Sequence, residues 1–175
     1  MQRQIFSSPY KPLSQRAIAM DVSEQKQILN FLYAVCSDRH EQYQNAQEEA
    51  RESHLKEMFS NGERESGQMM QEIRTLLQEL DLPWEEQSTL SGDLHNLWID
   101  FRSKLSGHDS KAILEALCCA EEANLEKYEQ EWQNNQSGDD QVQALISQHI
   151  GELKHSLEKL KTLTQDEESH LKLKL

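Results

Sequence analysis

The sequence predicts an all-α protein, a single four-helix bundle, on three observations. Gly and Pro number 6 and 3 in 175 residues, too few for a sandwich or barrel that turns roughly every ten residues. Long stretches are built from Glu, Gln, Lys, Leu and Ala, the residues that lose least on entering a helix. Apolar residues then recur in alternating steps of three and four, the pattern of a seam that packs against other helices. The length suits one domain able to bury a core without disulfides.

The elements follow in order. Residues 1–20 form an N-terminal arm carrying Arg3, Lys11 and Arg16 and no acid. Asp21, with Glu24 three residues on, has the spacing of a capping box and opens a helix running to about 50. Its apolar stripe is Leu29, Leu32, Cys36, Tyr43 and Ala46, with His40 on the same face. A second helix covers 53–81 on the stripe Leu55, Phe59, Gly62, Ser66, Met69, Ile73, Leu76 and Leu80, and Pro83 stops it. The break between the two rests on length, because an unbroken helix over 21–81 would span about 90 Å. Leu90, Leu94, Leu97, Trp98, Phe101 and Leu105 give a shorter amphipathic helix in a crossover, closed by Gly107. Asp109 or Ser110 caps a third long helix over 110–133, with Ile113, Leu114, Leu117, Glu121, Asn124, Tyr128 and Trp132 inward. NNQSGDD is a turn. The fourth long helix, 140–164, buries Ile146, His149, Ile150, Leu153, Leu157, Leu160 and Leu163. The domain is thus 21–164, with a tail over 165–175. A long crossover from the second helix to the third is the ferritin-like topology, here with an additional short helix in the crossover.

Charge and cysteines narrow the function. Asp and Glu number 31 against 18 Lys and Arg, a net charge of −13, and such a field repels a phosphate backbone, so nucleic acid is not an expected partner. No run has the length of a membrane span, and the arm lacks the compact apolar stretch of a signal peptide, so neither membrane insertion nor secretion is expected. Cys36, Cys118 and Cys119 are an odd set without zinc spacing. They read as free thiols in a reducing cytoplasm.

One stretch carries a resemblance. Ser91, Gly92, Asp93, His95, Trp98 and Asp100 are followed by Lys111 to Glu115, then by Glu121, Glu122 and Tyr128, while the first helix holds Asp38, Arg39, Glu41 and Tyr43. This pattern resembles an uncharacterised bacterial family of the ferritin-like superfamily, a domain of unknown function, over about 25–163. The resemblance implies a ferritin-like bundle and, by analogy within that superfamily, a stress-related role. Leu157 departs from it, standing where the family usually has His.

The superfamily's best-known chemistry is a carboxylate-bridged di-iron centre, which needs a Glu from each of two helices and Glu-x-x-His from each of the other two. The literal Glu152–His155 pair fails, because His155 lies about 200° around the helix from the seam residue Leu153. In the second helix Ser66 occupies the place of the His after Glu63. What survives is Glu121 on an inner stripe, with His40, His149, Ser66 and Tyr43 at comparable levels on other helices. A buried carboxylate demands a partner, so Glu121 is expected to contact one of these four. The arrangement is expected to be a hydrogen-bonded core network that fixes helix register. The alternative is a remnant iron or manganese site of Glu121, His40 and His149 serving an oxidase or peroxide-consuming protein. Tyr128 lies on the same inner face, and in the crossover Trp98 is expected to pack on the bundle while His95 hydrogen-bonds, with a small pocket there as the alternative. No phosphate-cradling loop, nucleophile elbow, zincin motif or redox cysteine pair occurs. The expected function is therefore that of a non-catalytic cytoplasmic bundle acting through protein contacts, with a partner protein or with itself.

Overall fold

The computed structural model describes residues 22–85, 109–135 and 139–172. Within them the chain is all-helical: α1 (Val22–Glu49), α2 (Ser53–Glu79), α3 (Ser110–Asn134) and α4 (Asp140–Lys172). Asp21 of the expected capping box, the crossover helix with His95 and Trp98, and the N-terminal arm lie outside the described residues.

The helix ends follow from local chemistry. At the α1–α2 junction the chain is non-helical for three residues, and Glu52 takes an extended N-cap conformation without a side-chain cap. Its carboxylate instead accepts from Ser110 Oγ at 2.7 Å, tying the start of α2 to the start of α3. At the end of α2, Asp81 adopts a left-handed conformation (φ 53°) and the Leu82 amide returns to the Leu77 carbonyl at 2.8 Å. This closes the helix two residues before the predicted end and ahead of Pro83, with Leu82 tucked into the core. Asp109, rather than Ser110, caps α3, accepting from the Lys111 amide at 3.1 Å. Asp139 does the same for α4, accepting from the Gln141 amide at 2.8 Å.

The fourth helix departs from the expected boundary: it continues through 165–172 instead of ending at 164. The reason is its partner. The antiparallel pairing of Lys161 with Glu122 and of Cys118 with Thr164 places the last turns of α4 beside the first turns of α3. Stopping at 164 would leave the N-terminal end of α3 uncovered.

α1 with α2, and α3 with α4, pack as two antiparallel hairpins, and α1 faces α3 while α2 faces α4. Lys26 pairs with Glu85, so α2 ends beside the start of α1, whereas Ser110 begins α3 beside Glu52 at the opposite end. The link between α2 and α3 therefore joins opposite ends of a four-helix bundle. The interior falls into two apolar halves. Leu29, Leu32, Cys36, Ile73, Ile146 and Leu153 belong to one, and Tyr43, Leu55, Phe59, Ile113, Leu117 and Leu160 to the other.

Candidate functional site

Between the two halves lies a polar layer to which each helix contributes one side chain: Arg39, Ser66, Glu121 and Ser156, all buried. On α1 and α2 the apolar stripe is interrupted here, between Cys36 and Tyr43 and between Gly62 and Met69, while on α3 and α4 Glu121 and Ser156 stand beside the buried Ala120 and Leu157. A charge at such a position is tolerable only with a partner and with its remaining valences filled.

Arg39 supplies both conditions. Its Nε donates to the two Glu121 oxygens at 2.9 Å each, and its Nη2 to Oε1 at 2.7 Å. The remaining donors go to Ser66 Oγ (2.8 Å, from Nη1), the Gly62 carbonyl (3.4 Å, from Nη1) and Ser156 Oγ (3.0 Å, from Nη2). The planar fork thus meets the carboxylate on one edge and a hydroxyl from each flanking helix on the other, geometry that a lysine cannot reproduce. Tyr43 donates to Glu121 Oε1 at 2.6 Å, and its ring lies under the guanidinium, 4.9 Å from Cζ. Arg39 and Glu121 are each 1% exposed. Burial is the largest influence and works against the Arg39 cation, but the charge and hydrogen bond of Glu121, together with Tyr43 and Cys36, outweigh it and drive the proton affinity upward. Burial, reinforced by Glu121, likewise raises the Tyr43 phenol well above its ordinary value. Glu65 closes the layer toward solvent, accepting from Ser156 Oγ at 3.1 Å and lying 3.8 Å from Arg39 Nη2.

A second polar chain runs beside the layer. Cys36 Sγ lies 2.9 Å from Tyr128 OH, Tyr128 OH 3.0 Å from His149 Nδ1, and His149 Nε2 3.0 Å from Glu72 Oε2. Burial lifts the Cys36 thiol to about 12, so it is a small hydrophobe at neutral pH rather than a nucleophile.

The expected site residues are therefore distributed as follows. Glu121, Tyr43 and Ser66 meet in one network through Arg39, and the expected Glu121–Tyr43 contact is made directly. His149 and Tyr128 belong to the neighbouring chain. His40 is a correction: it is not on the inner face but at the α1–α2 edge, its side chain 36% exposed and 3.6 Å from Glu63. Three and four residues past Cys36 are both compatible with the seam, and the ion pair across the bundle selects Arg39. Glu121, His40 and His149 share no hydrogen bond or ion pair with one another among the described residues, and no three His, Cys, Asp or Glu side chains there are grouped as a metal would need. Glu65 and Glu72 each accept from a buried donor, Ser156 Oγ and His149 Nε2. His155 is exposed, as its helical phase requires.

Arg39 is the residue that sequence reasoning missed as a core group. A signal existed: it precedes Tyr43 by four residues on the same face, within the Asp38-Arg39-x-Glu41-x-Tyr43 pattern. Asp38 beside it is also half-buried, with Oδ2 unpartnered among the described residues. Burial raises its carboxyl to about 6, with Lys127 pulling down and Glu41 adding to the rise. A folded-state value above the ordinary 3.8 means that the ionised form burdens the fold as the pH rises through that range. Asp38→Asn is therefore expected to raise the melting temperature at pH 7.5 and to lose this advantage as the pH falls toward 4. A lower melting temperature at pH 7.5 would contradict it.

A family model described as a domain of unknown function (DUF2383) matches residues 24–134. That span holds Arg39, Ser66 and Glu121 and stops short of Ser156 and His149 on α4. No curated protein and no solved structure matches the chain.

Proposed function

We propose that this chain, which belongs to the DUF2383 family of domains of unknown function, is a non-catalytic helical-bundle protein that acts through contacts with a partner protein or with a second copy of itself. The observation that carries this reading is the closure of the polar layer. The guanidinium donors of Arg39 are directed at Glu121, Ser66, Ser156 and the Gly62 carbonyl, and Glu121 accepts from Arg39 and Tyr43. A carboxylate held this way is an anchor of helix register. The function then falls to the outside of the bundle. There, among the described helices, none is long and apolar enough to cross a membrane, and the strongly acidic composition disfavours nucleic acid. We place the protein in the cytoplasm, in keeping with three free cysteines. We read its topology as ferritin-like, from the link that joins opposite ends of the bundle, and the stress-related setting follows from that analogy of fold.

Size-exclusion chromatography with light scattering, together with affinity capture on the full chain, tests the reading. A defined oligomer or a reproducible stoichiometric partner is expected. A strict monomer that captures nothing would overturn it. So would stoichiometric iron or manganese in protein prepared without chelator or histidine tag and lost on Glu121→Gln, since that is the outcome for a metal-dependent oxidase.

A further inference from the structure

The two large apolar side chains left exposed among the described residues are at the same end of the bundle. Val22, 63% exposed, opens α1, and Trp84, 43% exposed, follows α2. The Lys26–Glu85 ion pair, and the Glu85 amide donating to Asn30 Oδ1 at 3.0 Å, hold the chain after α2 against α1. The Trp84 ring meets that of Tyr33 edge-on, with centroids 5.8 Å apart. Arg74 on α2 spans both rings: its Cζ lies 4.9 Å from the Tyr33 centroid and 5.2 Å from that of Trp84.

This stack is an exposed platform with a charge to spare. A guanidinium laid over aromatic rings still has its in-plane N–H donors available for a carboxylate. Among the described residues no carboxylate pairs with the exposed Arg74, in a chain with 31 acids against 18 Lys and Arg. Asp81, where α2 closes, is likewise exposed, and its carboxylate has no cation. An unpaired cation, an unpaired anion and exposed aromatic surface thus occupy one end of the molecule. A surface that carries both signs is complementary to its own copy across a twofold axis, where each residue of a pair meets the other twice. Trp, Tyr and Arg are also the side chains that carry most of the binding energy where proteins meet. Two copies at −13 each repel at a distance. In about 0.15 M salt that repulsion is screened beyond about 8 Å, and the local pairing decides.

We propose that this end of the bundle is a self-association surface: a second copy of the chain docks by a twofold contact over Tyr33 and Trp84, with Arg74 of each copy paired to Asp81 of the partner subunit. The inference rests on the reading of the protein as one that acts through contacts, and it selects a second copy as the partner.

The test is sedimentation equilibrium with light scattering on the full chain in about 0.15 M salt. A dimer is expected. Trp84→Ala and Arg74→Glu should each weaken it by about tenfold or more, with helicity by circular dichroism unchanged. Lys159→Glu reverses an exposed charge on α4 beside His54, at the opposite end of α2, and should leave the dimer as it is. Arg74→Glu and Asp81→Lys copies should each fail to self-associate yet form a mixed dimer with one another, because the exchange restores both ion pairs. A dimer unmoved by Trp84→Ala and Arg74→Glu, or the absence of the mixed dimer, would overturn the proposal. Should Asp81→Lys fail to fold, Trp84→Ala and Arg74→Glu decide it. A monomer that captures a stoichiometric partner would overturn this inference and leave the broader reading standing, whereas a monomer that captures nothing would overturn both.

Discussion

Arg39→Ala is expected to lower the unfolding free energy by about 3–5 kcal/mol at pH 7, the range for removing one partner of a buried ion pair. The loss arises because Glu121 would remain ionised, nearly solvent-free and deprived of the fork that meets both of its oxygens. Ser66 and Ser156 would lose a donor at the same time. Glu121→Gln should cost less, about 1–3 kcal/mol, because an amide oxygen still accepts from Arg39 and Tyr43 while the cation loses its counter-charge. Urea unfolding of the two variants measures both. A change within about 0.5 kcal/mol for Arg39→Ala, typical of an ordinary surface substitution, would show that the pair is not held in the core.

Gly62→Ala should also destabilise, against the local rule. Alanine is the better helix former by about 1 kcal/mol, and Gly62 is in the interior of α2. A Cβ built at this position collides with the edge of the Tyr43 ring, with Cζ at 2.6 Å. That ring cannot retreat cheaply, because its hydroxyl is bound to Glu121 and its face to Arg39. Overpacking of this kind costs about 1–3 kcal/mol. The net expectation is a lower melting temperature that pairing with Tyr43→Phe does not restore, since the ring itself is the obstacle, whereas Tyr43→Leu restores part of it. A stabilised Gly62→Ala variant would mean that α1 and α2 are further apart than described.

The architecture was legible because burial imposes a period. Leu29, Leu55, Leu114 and Leu153 each fall on a stripe that the sequence displays, and each is fully or almost fully buried. Ends were less legible where the cause lies on another helix. The extension of α4 to Lys172 is set by where α3 begins, which no residue of α4 encodes. The polar layer was half visible. Glu121 and Ser66 interrupt their stripes openly, and the acid demanded a partner. Arg39 escaped because Cys36, His40 and Tyr43 already complete a stripe without it, and because arginine is rarely enclosed unless paired. Choosing between neighbours on one turn requires knowing what stands opposite, and Glu121 is 82 residues away in sequence.

A double-mutant cycle on Arg39→Met and Glu121→Leu tests the closed polar layer most directly. If the two groups neutralise each other in the core, each single replacement destabilises strongly and the double replacement recovers most of the loss, with a coupling of about 3 kcal/mol or more. Additive losses, with no recovery in the double variant, would contradict the account and leave Glu121 in need of another partner.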